Sequence, residues 1–207
     1  RTTTKPNGFD LESNIITEQN WLHLKNWMHN PLSVTGNKND TIPWEEAIEG
    51  RTVCQFGVRY DYDKQCVDHT PVTPIPAILR QLLPLGFSNN GENDKNNNNN
   101  TEDCDGFTQC IINCNGPSDG IPFHVDHEDF GPEVVVFTFG EERPLLLRRR
   151  DGDGSHDVSF SVVPGHRSRY KLSGDARYLW EHSIPEGKGE RVSFTFRSIS
   201  SSVGGKG

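Results

Sequence analysis

Apolar residues are scarce in this sequence. Only 32% of its 207 residues are hydrophobic, and the mean hydropathy is −0.70. No uninterrupted apolar run approaches the ~18 residues that a membrane-spanning helix needs, so we expect no membrane partner. The first residues also lack the segments of a signal peptide. Because the chain begins with Arg1 rather than Met, we expect a fragment whose flanking domains lie outside it.

A disulfide pattern is also missing. The five cysteines are odd in number, irregularly spaced and without a CxxC pair: Cys54, Cys66, Cys104, Cys110 and Cys114. Such usage is typical of free thiols in a reducing compartment, which predicts an intracellular protein, cytoplasmic or nuclear. A structural zinc held by the last three cysteines is the alternative interpretation.

The chain has no excess of positive charge. It carries 29 acidic residues against 21 Lys and Arg, a net charge of −8, opposite in sign to that of a typical nucleic-acid-binding protein. Its length suits a single domain over residues 1–207, which we expect to be monomeric. Residues 88–105 contain the run NNGENDKNNNNNTED. This run cannot bury apolar surface, so we predict a flexible Asn-rich insertion there.

The first half of the chain predicts two helices and one strand. Thr17–Asn30 has a capping residue and helical spacing of its apolar residues, and Pro74–Leu85 starts with prolines and repeats apolar residues in the same way. Thr52–Asp63 alternates and is rich in β-branched and aromatic residues, so we interpret it as a strand or one arm of a hairpin.

The second half, about residues 107–198, predicts a β-rich catalytic core. Short strand-like runs follow one another, separated by Gly, Pro and Asp: Phe107–Asn113, Glu133–Phe139, Pro144–Arg149, Asp157–Val163, Arg169–Leu172, Ala176–Trp180 and Arg191–Ser198. Many short strands at this spacing indicate a mainly β fold, a double-stranded β-helix or jelly roll, with the N-terminal helices packed against it.

A possible metal site lies in the segment Phe123–Asp126. Side chains two apart on a strand project from the same face, so His124 and Asp126 can reach one ion, and His182 can supply a third ligand. Two imidazoles and one carboxylate leave three open positions, which suits non-haem Fe(II) with a bidentate cosubstrate and O2. A surface turn beside a neighbouring histidine is the alternative.

The segment Arg191–Arg197 reads RVSFTFR. Its period of two places Arg191, Ser193, Thr195 and Arg197 on one face and apolar residues on the other. Guanidinium groups in such a row can bind a dicarboxylate through paired hydrogen bonds. An amphipathic strand with its polar face in water is the other interpretation. Asn113 can also donate to a carboxylate, or can simply initiate a turn.

Residues for substrate binding are suggested by charge and aromaticity. The segment 143–177 holds eight Lys or Arg against four Asp, and Arg167, Arg169 and Lys171 alternate, so they can follow a phosphate backbone. Ordinary solvated strand faces are the alternative. Tyr60 and Tyr62, with His124, can enclose an unstacked base, although both tyrosines can equally be sheet residues.

Taken together, these segments resemble the AlkB family of nucleic-acid dioxygenases, and in particular the oxygenase domain of tRNA wobble-uridine hydroxylases. The resemblance runs over about residues 50–198, apart from the Asn-rich insertion. It rests on motifs whose order and spacing are specific in combination: Arg51, Phe56-Gly57, Tyr60-Asp61-Tyr62, Asn113, GIPFHVD, RYLWEHSI and RVSFTFR.

The resemblance implies a role for each of these positions. His124, Asp126 and His182 would bind iron, and Arg191 would pair with the far carboxylate of 2-oxoglutarate. Arg197, Asn113 and Ser193 belong to the same implied cosubstrate site, with Arg197 and Asn113 near the metal. Family members often have Tyr at the position of Asn115 and Asn at that of Ser193, and both departures concern cosubstrate binding.

The implied reaction consumes 2-oxoglutarate and O2 and yields succinate, CO2 and a hydroxylated substrate. We therefore expect a dioxygenase that hydroxylates or demethylates a base, in RNA or tRNA rather than DNA. Two alternatives remain open at this point. One is an oxygenase of the same fold that acts on a protein side chain or a small molecule, which the net acidity favours. The other is a binding module without turnover.

Overall fold

The computed structural model describes residues 4–31, 41–46, 51–68, 70, 72–83, 106–149 and 159–199. The Asn-rich stretch 88–105, including Cys104, lies outside these residues. The elements in chain order are β1 (Phe9–Glu12), α1 (Glu18–His29), β2 (Glu45–Glu46), β3 (Thr52–Phe56), β4 (Arg59–Asp61), β5 (Cys66–Asp68), α2 (Ala77–Arg80), β6 (Gln109–Asn115), β7 (Ile121–His124), β8 (Phe130–Gly140), β9 (Leu145–Arg149), β10 (Ser159–Val162), β11 (Ser168–Leu172), α3 (Gly174–Tyr178), β12 (Trp180–Ile184) and β13 (Arg191–Ile199).

The strands form two facing sheets and a separate hairpin. The major sheet has the order β1-β11-β8-β13-β6-β3-β2, the minor sheet has the order β10-β9-β12-β7, and β4 pairs only with β5. Between β6 and β13 the chain passes repeatedly from one of the two larger sheets to the other. This arrangement confirms the predicted jelly roll.

Alternation along the central strands builds two apolar layers. On β8, Val135, Phe137 and Phe139 face a core that includes Trp21 and Leu24 of α1. Val134 and Val136 face the other way, toward the minor sheet. Each layer arises because successive side chains of a strand point to opposite faces. The major sheet is therefore covered by helices on one side and by the minor sheet on the other.

The first predicted helix is present with the expected start. The Thr17 side chain accepts a hydrogen bond from the Asn20 amide at 3.1 Å, and Trp21, Leu24, Trp27 and Met28 of α1 are buried. The second is shorter than predicted, because regular helix covers only Ala77–Arg80 and Leu85 lies outside the described residues. Among the described residues, no helix has the length and apolarity needed to cross a membrane.

Two of the strand predictions are wrong in detail. The predicted strand Ala176–Trp180 is mostly the helix α3, and β12 begins at Trp180. Its place in a series of short strand-like runs suggested a strand, but tertiary contacts decide the local structure: the Ala176 amide donates to the Asn7 carbonyl at 2.9 Å, and Arg177 is buried. Consequently His182 lies within β12 rather than after a strand.

The predicted strand Thr52–Asp63 is divided at Gly57. This glycine has φ +80°, a conformation that side chains with a Cβ rarely adopt, and a Cβ there would overlap the Thr108 carbonyl. The chain leaves the major sheet at this point and enters the β4–β5 hairpin. The hairpin therefore lies apart from both larger sheets, at the open side of the cavity described next.

Candidate metal and cosubstrate site

A cavity of about 470 Å³ lies between the two larger sheets and opens beside the β4–β5 hairpin. The polar face of β13 lines it with Arg191, Ser193, Thr195 and Arg197. The opposite face of β13 packs into the helix-side core. Since Arg191 and Ser193 are each only 2% exposed, the alternative of a polar strand face in water is wrong.

Three potential metal ligands meet at one end of this cavity. The ligand atoms of His124, Asp126 and His182 all lie within 4.8 Å of one another. His124 and His182 are direct partners across β7 and β12, and their ring centroids are 4.2 Å apart. No other group of three or more such side chains occurs in the part of the chain that the structure describes.

The position of Asp126 in the secondary structure differs from the predicted one. Strand β7 ends at His124, so Asp126 lies in the turn that follows and not two places along the same strand. The guanidinium of Arg177 fixes this turn, because it donates to the backbone carbonyls of Asp126 and His127 at 2.9 and 2.7 Å, and also to those of Phe130 and Gly131.

The ring of His124 is oriented by the backbone before it. Its Nδ1 lies 2.9 Å from the Pro122 carbonyl oxygen. A carbonyl oxygen can only accept, so Nδ1 carries the proton and Nε2 is left with its lone pair. A hydrogen bond of this kind from the second ring nitrogen is the usual means of orienting a histidine that binds metal.

The charges around Asp126 keep it ionised. Burial alone would raise the pKa of Asp126, but the positive charge of Arg197 holds this pKa well below its usual range. Its Oδ1 pairs with Arg197, whereas its buried Oδ2 has no hydrogen-bond partner and faces Nε2 of His182 at 3.7 Å. Burial and the neighbouring His124 lower the pKa of His182 to about 3. A carboxylate oxygen and neutral imidazoles with free lone pairs fit a divalent iron ion.

The other polar end of the cavity is centred on Arg191. This guanidinium is buried and donates to Ser193 Oγ at 3.2 Å. Burial lowers its pKa, and Tyr170 of β11 lines the same cavity. Among the described residues it forms no ion pair with a carboxylate. A buried cation without a counter-charge is a suitable place for the free carboxylate of a keto-dicarboxylic acid.

The remaining residues of the implied cosubstrate site lie between these ends. Asn113 lines the cavity and is the register partner of Ser193. Arg197 also lines the cavity, but its guanidinium contacts Asp126 and donates to Gln109 Oε1 at 3.2 Å. Asn115, the register partner of Arg191, is buried, and neither polar atom of its side chain has a hydrogen-bond partner. The cosubstrate roles of these residues stay predictions.

Aromatic side chains form the mouth of the cavity. Tyr60 and Tyr62 both line it, with their ring centroids 5.2 Å apart in an edge-to-face arrangement. Tyr60 also lies 5.8 Å from Phe130, and the guanidinium carbon of Arg51 lies 5.6 Å from the Tyr62 ring centre. These residues lie on the opening side of the triad, where a substrate would approach.

The basic residues Arg167, just before β11, and Arg169 and Lys171, on β11, do not line the cavity. Arg169 is 3% exposed and pairs with Glu12 at 2.6 Å, and Lys171 pairs with Glu133 at 3.1 Å. Arg167 has φ +63°, contacts Glu18 at 3.6 Å and donates to the Ile16 carbonyl. The expected row of three cations facing a phosphate backbone is therefore absent: these side chains are engaged with acids or backbone on the outer side.

Sequence reasoning overlooked two residues of this site. Tyr170 faces the cavity from β11, and its position between Arg169 and Lys171 was the available signal, because alternation puts it on the opposite face. Arg177 entered only the count of basic residues in segment 143–177, and no sequence signal marks its contacts with backbone carbonyls. For the zinc alternative, Cys110 is buried in the helix-side core and Cys104 lies outside the described residues.

A profile of the 2OG-Fe(II) oxygenase superfamily matches residues 13–197. The chain belongs to this superfamily. As a 2OG-Fe(II) oxygenase it is a dioxygenase that uses Fe(II), 2-oxoglutarate and O2. When bound, iron and 2-oxoglutarate allow O2 to oxidise a substrate C–H bond, and succinate and CO2 are released. The protein's own contribution is the ligand triad, the buried cation and the shape of the cavity.

Relatives of this oxygenase include AlkB-like proteins. It is 27% identical over 197 residues to the tRNA (carboxymethyluridine(34)-5-O)-methyltransferase ALKBH8 of Mus musculus, covering 90% of this chain and 26% of that protein. It is 29% identical over 168 residues to the RNA demethylase ALKBH9B of Arabidopsis thaliana, covering 74% of this chain and 31% of that protein. The solved structure of OsALKBH1 matches with a TM-score of 0.65 at 13% identity, covering 95% of this chain and 99% of that one. The chain thus spans about a quarter to a third of the two curated relatives.

Proposed function

We propose that this oxygenase oxidises a base in RNA, with a tRNA anticodon loop as the favoured target. The observation that carries the proposal is the aromatic mouth: Tyr60 and Tyr62 stand at the opening of the cavity that holds the iron ligands. An enzyme that modifies a base must take it out of its stack, and aromatic side chains stabilise the extruded ring. Bases of an anticodon loop are already exposed, so little unstacking energy is needed.

The relatives support the same substrate class. ALKBH8 is named as a methyltransferase of a tRNA uridine, and ALKBH9B is named as an RNA demethylase. If the oxidised carbon is an N-methyl group, its hydroxylation product collapses to formaldehyde and the unmethylated base. If it is another side-chain carbon, the hydroxylated base persists. Both outcomes use the same residues of this chain to bind metal and cosubstrate.

A second candidate is an oxygenase that acts on a protein side chain or a small molecule. The net charge of −8 favours it, as does the pairing of Arg169 and Lys171 with Glu12 and Glu133 on the outer side of β11. These cations do not present a basic surface that could follow RNA. The two candidates differ in one measurable respect, because only the first predicts that RNA stimulates the consumption of 2-oxoglutarate.

The deciding experiment is mass spectrometry of nucleosides from total tRNA incubated with the protein, Fe(II), ascorbate and 2-oxoglutarate. Matched reactions omit 2-oxoglutarate or contain the Asp126→Ala variant. We expect a uridine that gains one oxygen atom, or a methylated base that loses its methyl group, only in the complete reaction. Succinate formation without any change in the nucleosides would reject the RNA proposal and support the second candidate.

A further inference from the structure

Gln109 of β6 is completely buried and does not line the cavity. It is the register partner of Arg197 on β13. Its side-chain amide forms a hydrogen bond at each end: Oε1 accepts from Arg197 Nη1 at 3.2 Å, and Nε2 donates to the backbone carbonyl of Val58 at 2.9 Å. A buried amide is costly unless its donor and its acceptor are both used. The two partners of Gln109 therefore explain why a polar side chain occupies this buried position.

The first partner, Arg197, belongs to the metal site. Its Nη2 pairs with Asp126 Oδ1, and its guanidinium carbon lies 4.7 Å from the ring centre of Phe130. Among the described residues, Gln109 Oε1 is the second acceptor of this guanidinium, whose Nε has no hydrogen-bond partner. The carboxylate of the ligand triad is therefore held by a guanidinium whose orientation depends on Gln109.

The second partner, Val58, lies where the chain leaves β3 and enters the β4–β5 hairpin. Another buried glutamine also holds this hairpin: Gln55 of β3 accepts from the Tyr60 amide at 2.7 Å and donates to the Tyr60 carbonyl at 3.1 Å. Two glutamines on the neighbouring strands β3 and β6 thus fix the start of the hairpin. Of these two, Gln109 is the one that also bonds to Arg197.

We propose that Gln109 is a positioning residue that keeps the substrate entrance and the metal site in a fixed relation. Through one amide it connects the backbone of the hairpin to the guanidinium that pairs with Asp126. A displacement of about 1 Å can slow a reaction by about 100-fold, so the tyrosines of the mouth have to keep their distance from the metal. The inference rests on the superfamily's iron site and on the mouth as the entrance, and it is independent of whether the substrate is RNA.

The test compares Gln109→Met with Gln55→Met. Methionine has nearly the length of glutamine but no amide, so each variant removes the hydrogen bonds of one residue; Gln55→Met also loses a bond to Glu45. Two quantities are measured without any substrate. Isothermal titration calorimetry gives the affinity for Mn(II). Trypsin cleavage after Lys64, whose side chain is 75% exposed between β4 and β5, reports the opening of the hairpin.

Both variants release the start of the hairpin. We therefore expect cleavage after Lys64 to become about 5-fold faster in each, the size expected for one lost hydrogen bond. Only Gln109→Met should also weaken Mn(II) binding, because Arg197 then loses the acceptor that fixes its contact with Asp126. We expect a loss of about 5-fold, somewhat less than for the removal of a direct partner of a metal ligand.

Equal Mn(II) affinity of the two variants would mean that Gln109 has only a structural role and would overturn the proposal, and so would unchanged cleavage after Lys64 in Gln109→Met. If Gln109→Met does not fold, Gln109→Asn takes its place, because its amide is too short to reach both partners, and Gln55→Asn is then the control. A parent protein that forms succinate but leaves RNA unmodified would reject the proposed function, whereas the comparison of the glutamine variants would still decide this inference.

Discussion

The metal and cosubstrate site and the mouth of the cavity are supported by different kinds of structure. In the metal site, His124 and His182 are register partners on paired strands, and Asp126 is held by Arg197 and by the turn that Arg177 fixes. At the mouth, Tyr60 lies on a two-stranded hairpin that pairs with neither larger sheet. Ring contacts hold its side chain, and two hydrogen bonds with the side chain of Gln55 hold its backbone.

This difference separates chemistry from substrate choice. Groups that bind metal and cosubstrate need fixed positions, and paired strands with satisfied hydrogen bonds provide them. Groups that recognise a substrate can be substituted more freely when they lie on a separate segment, because substitutions there leave the two sheets intact. We therefore expect substitutions in the metal and cosubstrate site and substitutions at the mouth to affect different measurable quantities. The following variants test that separation.

The largest effect is expected for Asp126→Ala. The variant loses the carboxylate that faces both histidines, so we expect Fe(II) or Mn(II) binding to fall by at least ~100-fold and 2-oxoglutarate turnover to be abolished. Calorimetry with Mn(II) and a succinate assay measure the two quantities. Asp10→Ala on the edge strand β1 is the control. Turnover by Asp126→Ala at the parental rate would contradict the metal assignment.

Arg191→Met should produce two effects of opposite sign. Removing the buried cation weakens 2-oxoglutarate binding by about 100-fold, the size expected when one partner of a buried charge pair is lost. In the absence of 2-oxoglutarate the same change should raise the melting temperature, because the cation has no carboxylate partner in the described structure. Calorimetry and thermal unfolding test both signs. Weaker metal binding in this variant would show that metal binding and cosubstrate binding are not separable.

Arg177→Met and Arg143→Met form a matched pair. Both arginines are buried and donate to backbone carbonyls, those of the Asp126 turn for Arg177 and those of Gly116, Asp119 and Gly189 for Arg143. Both variants should lower the free energy of unfolding by about 3 kcal/mol. Only Arg177→Met should also reduce Mn(II) affinity, by about 10-fold. Equal loss of Mn(II) affinity in both variants would mean that Arg177 acts through general stability.

The smallest effect concerns the mouth. Tyr60→Ala should reduce oxidation of RNA by about 10-fold, the contribution expected of one base–aromatic contact, while the affinity for 2-oxoglutarate stays at the parental value. Tyr60→Phe, which keeps the ring, is the comparison and should retain most of the activity. Nucleoside mass spectrometry with a titration of tRNA measures the loss. A parallel fall in 2-oxoglutarate affinity would argue against the separation of the cosubstrate site from the mouth.

Local periodicity predicted the parts of the site that lie on regular strands. The period of two in Arg191–Arg197 places its polar row correctly, because β13 is a continuous strand between β6 and β8. The position of Asp126 in a turn and the helix α3 depend instead on contacts between residues far apart in the sequence, such as Arg177 with the Asp126 carbonyl and Ala176 with the Asn7 carbonyl. Alternation along β11 also predicts that Tyr170 points into the cavity. The sequence interpretation considered only the charged residues on either side of it, which lie on the opposite face of the strand.

The pairing of His124 with His182 has a consequence for how the protein folds. These partners are followed by an irregularity, because Ile184 pairs with Ile121, so β7 accommodates one extra residue there. A slip of β7 by one residue would turn one imidazole to the wrong side of the sheet and separate the triad. Metal uptake during refolding can therefore serve as a direct readout of correct strand alignment: misaligned molecules would have regular sheets and yet fail to capture the ion.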